Sequence, residues 1–173
     1  SNTGLVLFGQ NEQFLLSTEA TDILSPKTAN LNSLSKYEAD SEVESVNLGT
    51  SLAFLSKTNL YTRVFQLGRI RSDMPPVQAA VTTTVSELIP SSVDSMIASP
   101  ALSMISIGEQ GTNTLYQYKF YDSEEERVQS TWYKWEMTGN LLDQFFDIST
   151  FYAVVSNGTK VLVSSFDLTQ ASE

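Results

Sequence analysis

Residues 112–138 read TNTLYQYKFYDSEEERVQSTWYKWEMT, and this stretch decides the fold class. It contains two runs rich in Tyr, Phe and Trp, one on either side of the acidic segment 122–127. Aromatic residues favour strands because they fit the pleated, packed surface of a sheet. The stretch therefore predicts two long antiparallel strands joined by an acidic turn.

Large aromatic side chains occur on both faces of this predicted hairpin. Because side chains alternate along a strand, Tyr116, Tyr118 and Phe120 share one face of the first strand. On the second strand, Trp132 and Trp135 point to opposite faces. A sheet with one solvated face would alternate polar and apolar residues more cleanly. We therefore expect packed neighbours on both sides, and we favour packing over a stacking platform for sugars or bases.

Apolar runs on either side of a short polar turn recur along the chain. The clearest turn is Asn157-Gly158, because Asn-Gly favours a tight turn with positive φ at both positions. The turns lie about 40–60 residues apart, in the range of four-stranded propeller blades. The predicted fold class is all-β, with antiparallel hairpins and meanders forming propeller-like blades; a β-sandwich is the alternative. The hairpins fall at 5–16, 52–61, 96–107 and 151–163.

The domain organisation follows from the same pattern. We expect residues 1–173 to be a single fragment of a longer chain, because the opening Ser1-Asn2 lacks Met and resembles a tag remnant. Residues 19–44 and 71–92 are rich in polar residues or proline, and we predict irregular insertions there. The approximate blades are 4–18, 45–70, 93–138 and 141–168.

Two short segments allow more than one secondary structure. Residues 77–85 lie between proline-containing stretches and could form a strand at a sheet edge or in a linker. Residues 141–146 have the spacing of a helix, but the run is too short for its period to decide. Because β-rich segments flank it, we predict a strand at 144–149.

The composition excludes several kinds of function. The chain carries 20 acidic and 10 basic residues, which gives a net charge of −10. Proteins that bind nucleic acid tightly place Lys and Arg against the phosphates, so this balance argues against such binding. His and Cys are both absent. Their absence excludes disulfides, zinc sites built from His and Cys, and catalytic triads or dyads that use either residue.

No pattern of residues points to catalysis. Paired carboxylates can hydrolyse glycosides, but twenty acidic residues make chance pairs certain. The Ser-x-Asp-x-Gly-x-Thr-Trp boxes of sialidase-like propellers are absent. The run Glu124–Glu126 could be a weak cation site, and we interpret it as a solvated turn. We therefore predict no enzyme, no cofactor, and no catalytic, cofactor-binding or metal-binding residue.

Several segments resemble one known family. The second aromatic strand has the pattern Val128-Gln129-x-x-Trp132-x-x-Trp135, and it follows the tyrosine-rich run 116–121. Together with the segments 4–16 and 45–55, in the same order along the chain, it resembles the tail nozzle family of short-tailed bacteriophages, also called tail tubular protein B. Nozzle proteins are much longer, so the resemblance implies a part of one.

The resemblance implies a structural role in the virion. A nozzle subunit contains a β-propeller and assembles into a homo-oligomeric ring with other tail proteins at the distal end of the DNA ejection channel. DNA would pass without specific binding, because an acidic wall repels phosphates. The expected location is the phage tail, with no membrane-spanning segment. The alternatives are a β-propeller protein-interaction module and a glycan-binding or glycan-hydrolysing propeller.

Overall fold

The computed structural model describes residues 5–9, 11–18, 23–68, 78–122 and 127–168, and these residues form mainly β-strands. Within those ranges there is one short 3-10 helix, Thr83–Val85, and no α-helix. The predicted all-β class is therefore confirmed. The strands are β1 Leu5–Phe8, β2 Gln13–Ser17, β3 Asn30–Ser35, β4 Val46–Asn47, β5 Leu52–Lys57, β6 Thr62–Leu67, β7 Gln78–Ala80, β8 Ser95–Ser99, β9 Met104–Gly108, β10 Thr114–Asp122, β11 Arg127–Glu136, β12 Asn140–Asp147, β13 Thr150–Ser156 and β14 Val161–Asp167.

The chain divides into two compact units. The first unit comprises Ser1–Glu42 and Thr50–Ser91, and the second comprises Val43–Gly49 and Ser92–Glu173. Each unit contains antiparallel strands and has its own apolar core. The arrangement of these sheets as propeller blades, with the boundaries given above, stays a prediction, and so does the β-sandwich.

The first unit contains two antiparallel meanders. Strands β1, β2 and β3 pair in chain order, and so do β5, β6 and β7. The core of the unit consists of Phe54, Phe65 and Leu67, which are at most 3% exposed. The ring of Tyr37 stacks on Phe65 at 4.3 Å, and Phe8 meets Phe54 edge-on at 5.6 Å. These aromatic contacts hold the two meanders of the unit together.

Part of the segment 19–44, where an irregular insertion is predicted, forms a strand in the structure. Residues 19–22 lie outside the described ranges, but Asn30–Ser35 form β3, which pairs with β2. Four of the six β3 residues are exposed, so this edge strand lacks the apolar alternation that reveals a strand. Backbone pairing with β2, which is apolar, forms the strand in spite of its polar side chains.

The second predicted insertion, 71–92, is also partly structured. Residues 71–77 lie outside the described ranges, and β7, Gln78–Ala80, is the edge strand of its sheet. The strand anticipated at 77–85 ends early, because Thr83 turns the chain: its Oγ1 donates a hydrogen bond of 2.6 Å to the carbonyl of Ala80. Hydroxyl side chains often compete with the strand ladder in this way.

The second unit contains one four-stranded and one three-stranded sheet. The strand orders are β11-β10-β9-β8 and β12-β13-β14, so both sheets are meanders. Their shared core is formed by Leu115, Leu141, Phe151, Ala153 and Val155, each at most 1% exposed. Alternate residues of β13 are buried, which is the period expected for a strand with one covered face.

The strand predicted over 144–149 is confirmed through Asp147, where β12 ends. The helix-like spacing at 141–146 is not a helix, because these residues form β12 and pair with β13. Ile148 has φ of +51°, so the backbone leaves the extended conformation there and turns into β13.

The Asn157-Gly158 hairpin is confirmed, but its turn type differs from the prediction. Ser156 pairs with Val161, which leaves a loop of four residues in place of a two-residue turn. Gly158 has φ of +88°, whereas Asn157 is not among the positive-φ residues. The side-chain oxygen of Asn157 accepts hydrogen bonds from the amides of Thr159 and Lys160, at 3.1 and 2.9 Å. Asparagine therefore closes this loop through its side chain.

Candidate functional site

Strands β10 and β11 of the aromatic hairpin pair without interruption as far as Tyr121. The two strands pair from Thr114 opposite Glu136 to Tyr121 opposite Gln129, which places Tyr118 opposite Trp132. Their rings lie 4.8 Å apart. Tyr118 and Phe120 are 1% and 8% exposed, so they are packing residues and present no open platform for a sugar or a base.

The opposite face of the hairpin is also covered in the half that lies away from the turn between β10 and β11. Leu115 is fully buried, and Trp135, which pairs with it across the strands, packs on the core of the second unit. The ring of Trp135 lies 5.7 Å from Phe151 and 5.6 Å from Phe166. The prediction of packing on both faces is thus confirmed near the base of the hairpin. Towards its tip, Tyr121 is 62% exposed.

One tyrosine of the hairpin has a perturbed acidity. Burial raises the pKa of the Tyr116 phenol above its usual value, the nearby Lys134 lowers it, and Glu109 raises it slightly further. Lys134 is the residue paired with Tyr116 across the strands. The phenol therefore stays neutral at ordinary pH. It acts as a packing group of the sheet, with its charged form disfavoured by the surroundings.

A buried polar chain connects the two sheets of the second unit. The amide of Gln117 on β10 donates to Ser106 Oγ on β9 at 2.7 Å, and Ser106 Oγ donates to Gln144 Oε1 on β12. The amide of Gln144 then donates to Ser95 Oγ on β8 at 2.9 Å. Gln117, Ser106 and Gln144 are at most 3% exposed. Hydrogen bonds of this kind satisfy polar groups that would otherwise be costly to bury, and they fix how one sheet faces the other.

A pocket of about 420 Å³ lies in the first unit. Its charged lining is built around Lys57, whose Nζ lies 2.7 Å from Asp40 Oδ2 and 3.8 Å from Glu42 Oε2. The amide of Asp40 donates a hydrogen bond to the carbonyl of Leu55 at 2.8 Å. The lining residues are Phe8, Gly9, Glu38, Ala39, Asp40, Ser41 and Lys57.

The charged residues of this pocket form ion pairs that join two segments of the chain. The Asp40 side chain is only 7% exposed, and its charge is compensated by Lys57, which is 24% exposed. The Nζ of Lys57 thus lies between two carboxylates, and its role here is that of an ion-pair partner. The ion pair and the backbone hydrogen bond together attach the segment at 38–42 to β5. No sequence pattern predicts this contact, because nothing in the spacing relates residue 40 to residue 57.

The predicted absence of catalytic, cofactor-binding and metal-binding residues stays a prediction. Among the described residues, no three Asp or Glu side chains come together in a group that could hold a metal ion. The acidic run Glu124–Glu126 lies outside the described ranges. No described segment forms a helix that is long and apolar enough to cross a membrane.

The comparison with known families gives a clear result. The family described as bacteriophage nozzle protein matches residues 1–173, which is the whole chain. This chain belongs to the bacteriophage nozzle protein family. The resemblance found in the segments around Trp132 and Trp135 is therefore confirmed. Nozzle proteins are parts of the phage tail, so the chain is a structural tail component of the virion.

A curated relative agrees with the family. Tail tubular protein gp12 of Escherichia phage T7 is 24% identical to this chain over 140 residues. The match covers 79% of this chain and 17% of the relative. The chain thus spans about a sixth of the length of that relative.

Proposed function

We propose that this chain is part of a ring-forming nozzle subunit that surrounds the DNA ejection channel of a phage tail. Family membership supports the tail location, and the net charge of −10 is the observation that carries the channel role. A wall that releases counterions from DNA would hold the phosphates and slow the genome, whereas an acidic wall leaves it mobile.

The distribution of charge supports this role. Acidic side chains are exposed in both units, among them Glu38, Glu42 and Glu87 in the first and Asp94 and Asp147 in the second. A protein that used one acidic cleft for catalysis would concentrate its acids there. Here the acids are spread over separate loops and strands, which fits a repulsive surface better than a single site.

The packing of the sheets supports a passive, rigid part. Both faces of β10 carry buried residues, and the polar chain through Ser106 and Gln144 fixes one sheet of the second unit against the other. A channel wall has to keep its shape while DNA moves past it. We therefore propose that the chain has no enzymatic activity of its own.

Electron microscopy of the nozzle protein at full length tests the ring. Closed rings with a central channel are the expected result, and a stable monomer at high protein concentration would contradict the proposal. The channel role needs a second measurement, because a ring could also encircle something other than DNA.

Binding of duplex DNA to the 173-residue chain provides that measurement. At about 150 mM salt we expect no binding tighter than the non-specific range of about 10⁻⁴ M. Tight binding that weakens steeply with salt would refute the repulsive wall. Turnover of a glycan substrate that is lost on changing one acidic residue would refute the passive role.

A further inference from the structure

The loop between β13 and β14 surrounds one side-chain amide with groups that can act on it. Asn157 is followed by Gly158, and both residues are exposed. Asn-Gly occurs once in the chain. The backbone nitrogen of Gly158 and Cγ of Asn157 belong to the same covalent segment. Attack of that nitrogen on Cγ therefore closes a ring without any diffusional encounter.

The oxygen of the Asn157 amide is held by hydrogen-bond donors. Oδ1 accepts hydrogen bonds from the backbone amides of Thr159 and Lys160, at 3.1 and 2.9 Å, and the hydroxyl of Thr159 lies 3.3 Å from the same oxygen. Negative charge collects on this oxygen when a nucleophile attacks Cγ. Donors that are already aimed at the oxygen stabilise that charge, as they do in the oxyanion hole of an acyl-transfer enzyme.

The attacking nitrogen has an acceptor for its proton. The backbone amide of Gly158 donates a hydrogen bond of 3.2 Å to Oγ of Ser156. Gly158 has no side chain to hinder the approach, and a methyl group built on it would meet no atom within 4 Å. The nucleophile, the proton acceptor and the donors to the amide oxygen thus lie within residues 156–160, in the arrangement that nucleophilic catalysis requires.

We propose that Asn157 is a modification site at which the folded loop promotes its own deamidation. The nitrogen of Gly158 forms a bond to Cγ, the bond from Cγ to Nδ2 breaks, and ammonia leaves with the proton taken from the Gly158 amide. Water then opens the resulting succinimide at either of its carbonyls. The products are aspartate and isoaspartate at position 157. The two steps together hydrolyse one amide, with no oxidation or reduction.

The isoaspartate product changes the loop. Its main chain runs through the former side chain and is longer by one methylene, so the oxygen that was Oδ1 becomes a backbone carbonyl. The amides of Thr159 and Lys160 then lose the side-chain acceptor that closes the loop. Either product also adds one negative charge to a chain whose net charge is −10.

Peptide mapping by mass spectrometry tests the proposal on the 173-residue chain after timed incubation at mildly alkaline pH. We expect the peptide with Asn157 to gain the mass difference between Asn and Asp, in two chromatographic forms. This reaction should be about tenfold faster in the folded chain than in guanidinium chloride, because the aligned donors act only in the folded loop. Asn47 is the matched control: its Oδ1 also accepts an amide hydrogen bond, from Gly49 at 2.7 Å, but the buried Leu48 follows it. It should stay unmodified over the same time.

Two variants separate the effect of the loop from the reactivity of the dipeptide alone. Ser156→Ala removes the proton acceptor, and Thr159→Val removes one donor to the amide oxygen. Each should slow the reaction of the folded chain severalfold and leave the rate in guanidinium chloride unchanged. Circular dichroism checks that both variants fold. A folded rate at Asn157 equal to or below the rate in guanidinium chloride overturns the proposal, and so does an unchanged folded rate in Ser156→Ala.

Discussion

Replacing Phe151 by alanine should remove the centre of the second unit's core. The side chain is fully buried, and its ring contacts Phe146 at 5.3 Å, Trp135 at 5.7 Å and Phe166 at 6.0 Å. Truncating a buried phenylalanine costs about 3–5 kcal/mol. Because three aromatic neighbours lose a partner at once, we expect a cost of about 4 kcal/mol in the free energy of unfolding.

Urea denaturation followed by tryptophan fluorescence is a suitable assay. The chain has two tryptophans, Trp132 and Trp135, and both lie on β11, so the signal reports the second unit. With an m-value of about 2 kcal/mol/M, a loss of about 4 kcal/mol lowers the midpoint by about 2 M.

Phe145 provides the matched control. It lies on β12 in the same sheet, is 43% exposed, and stacks on Tyr152 with the ring centroids 4.9 Å apart. Phe145→Ala should cost about 1 kcal/mol, which is the usual value of an aromatic pair, and lower the midpoint by about 0.5 M. Equal shifts for Phe151→Ala and Phe145→Ala would refute the position assigned to this core.

Three further changes test other contacts. A methyl group at Gly108 would lie 2.5 Å from Cδ2 of Leu141, so Gly108→Ala should cost about 1–3 kcal/mol and lower the urea midpoint; an unchanged midpoint contradicts this packing. Lys57→Met leaves the carboxylate of Asp40 buried without its cation, so the free energy of unfolding should fall by about 2 kcal/mol and the Asp40 amide should exchange its hydrogen faster. Adding Asp40→Asn should restore part of the lost stability, because the buried charge is then removed. Burial raises the pKa of Tyr116, so its stabilising contribution is complete below about pH 10 and is lost as the pH rises further; Tyr116→Phe should therefore lose less stability than the unaltered chain in alkaline urea titrations, and equal losses would contradict it.

The hairpins were predictable because each has a strong local signal. The runs around 5–16 and 52–61 alternate apolar strands with polar turns, and the structure places β1 with β2 and β5 with β6 there. In the aromatic hairpin, the two-residue period assigned Trp132 and Trp135 to opposite faces of the second strand. The register agrees, because it pairs Trp132 with Tyr118 and Trp135 with Leu115.

The contacts that no local pattern describes were not predictable. Strand β3 exposes most of its side chains, so only its partner β2 makes it a strand. The turn at Asn157 depends on whether the side chain or the backbone closes the loop, and the dipeptide is compatible with both. The polar chain from Gln117 to Gln144 joins residues on separate sheets, so it exists only after the sheets have packed.

The features that bear on function also differ in how far the sequence alone predicts them. Acidic composition and the lack of histidine and cysteine are properties of the whole chain, so the kinds of site that they exclude follow without any structure. The ion pair of Lys57 and Asp40 forms only when two segments of the chain come together, and sequence spacing alone does not predict that contact. Exposure of an edge strand likewise depends on strand order, which places β14 last in its sheet.

Under the proposed function, the acidic charge that repels DNA also opposes the assembly of copies into a ring. The charge that keeps DNA mobile also keeps like-charged copies apart, because both effects come from the same repulsion. A contact made through charged surface would have to remove those charges from water, which is costly unless every charge finds a partner. Under the proposed function, contacts between copies are therefore expected where the surface carries no charge.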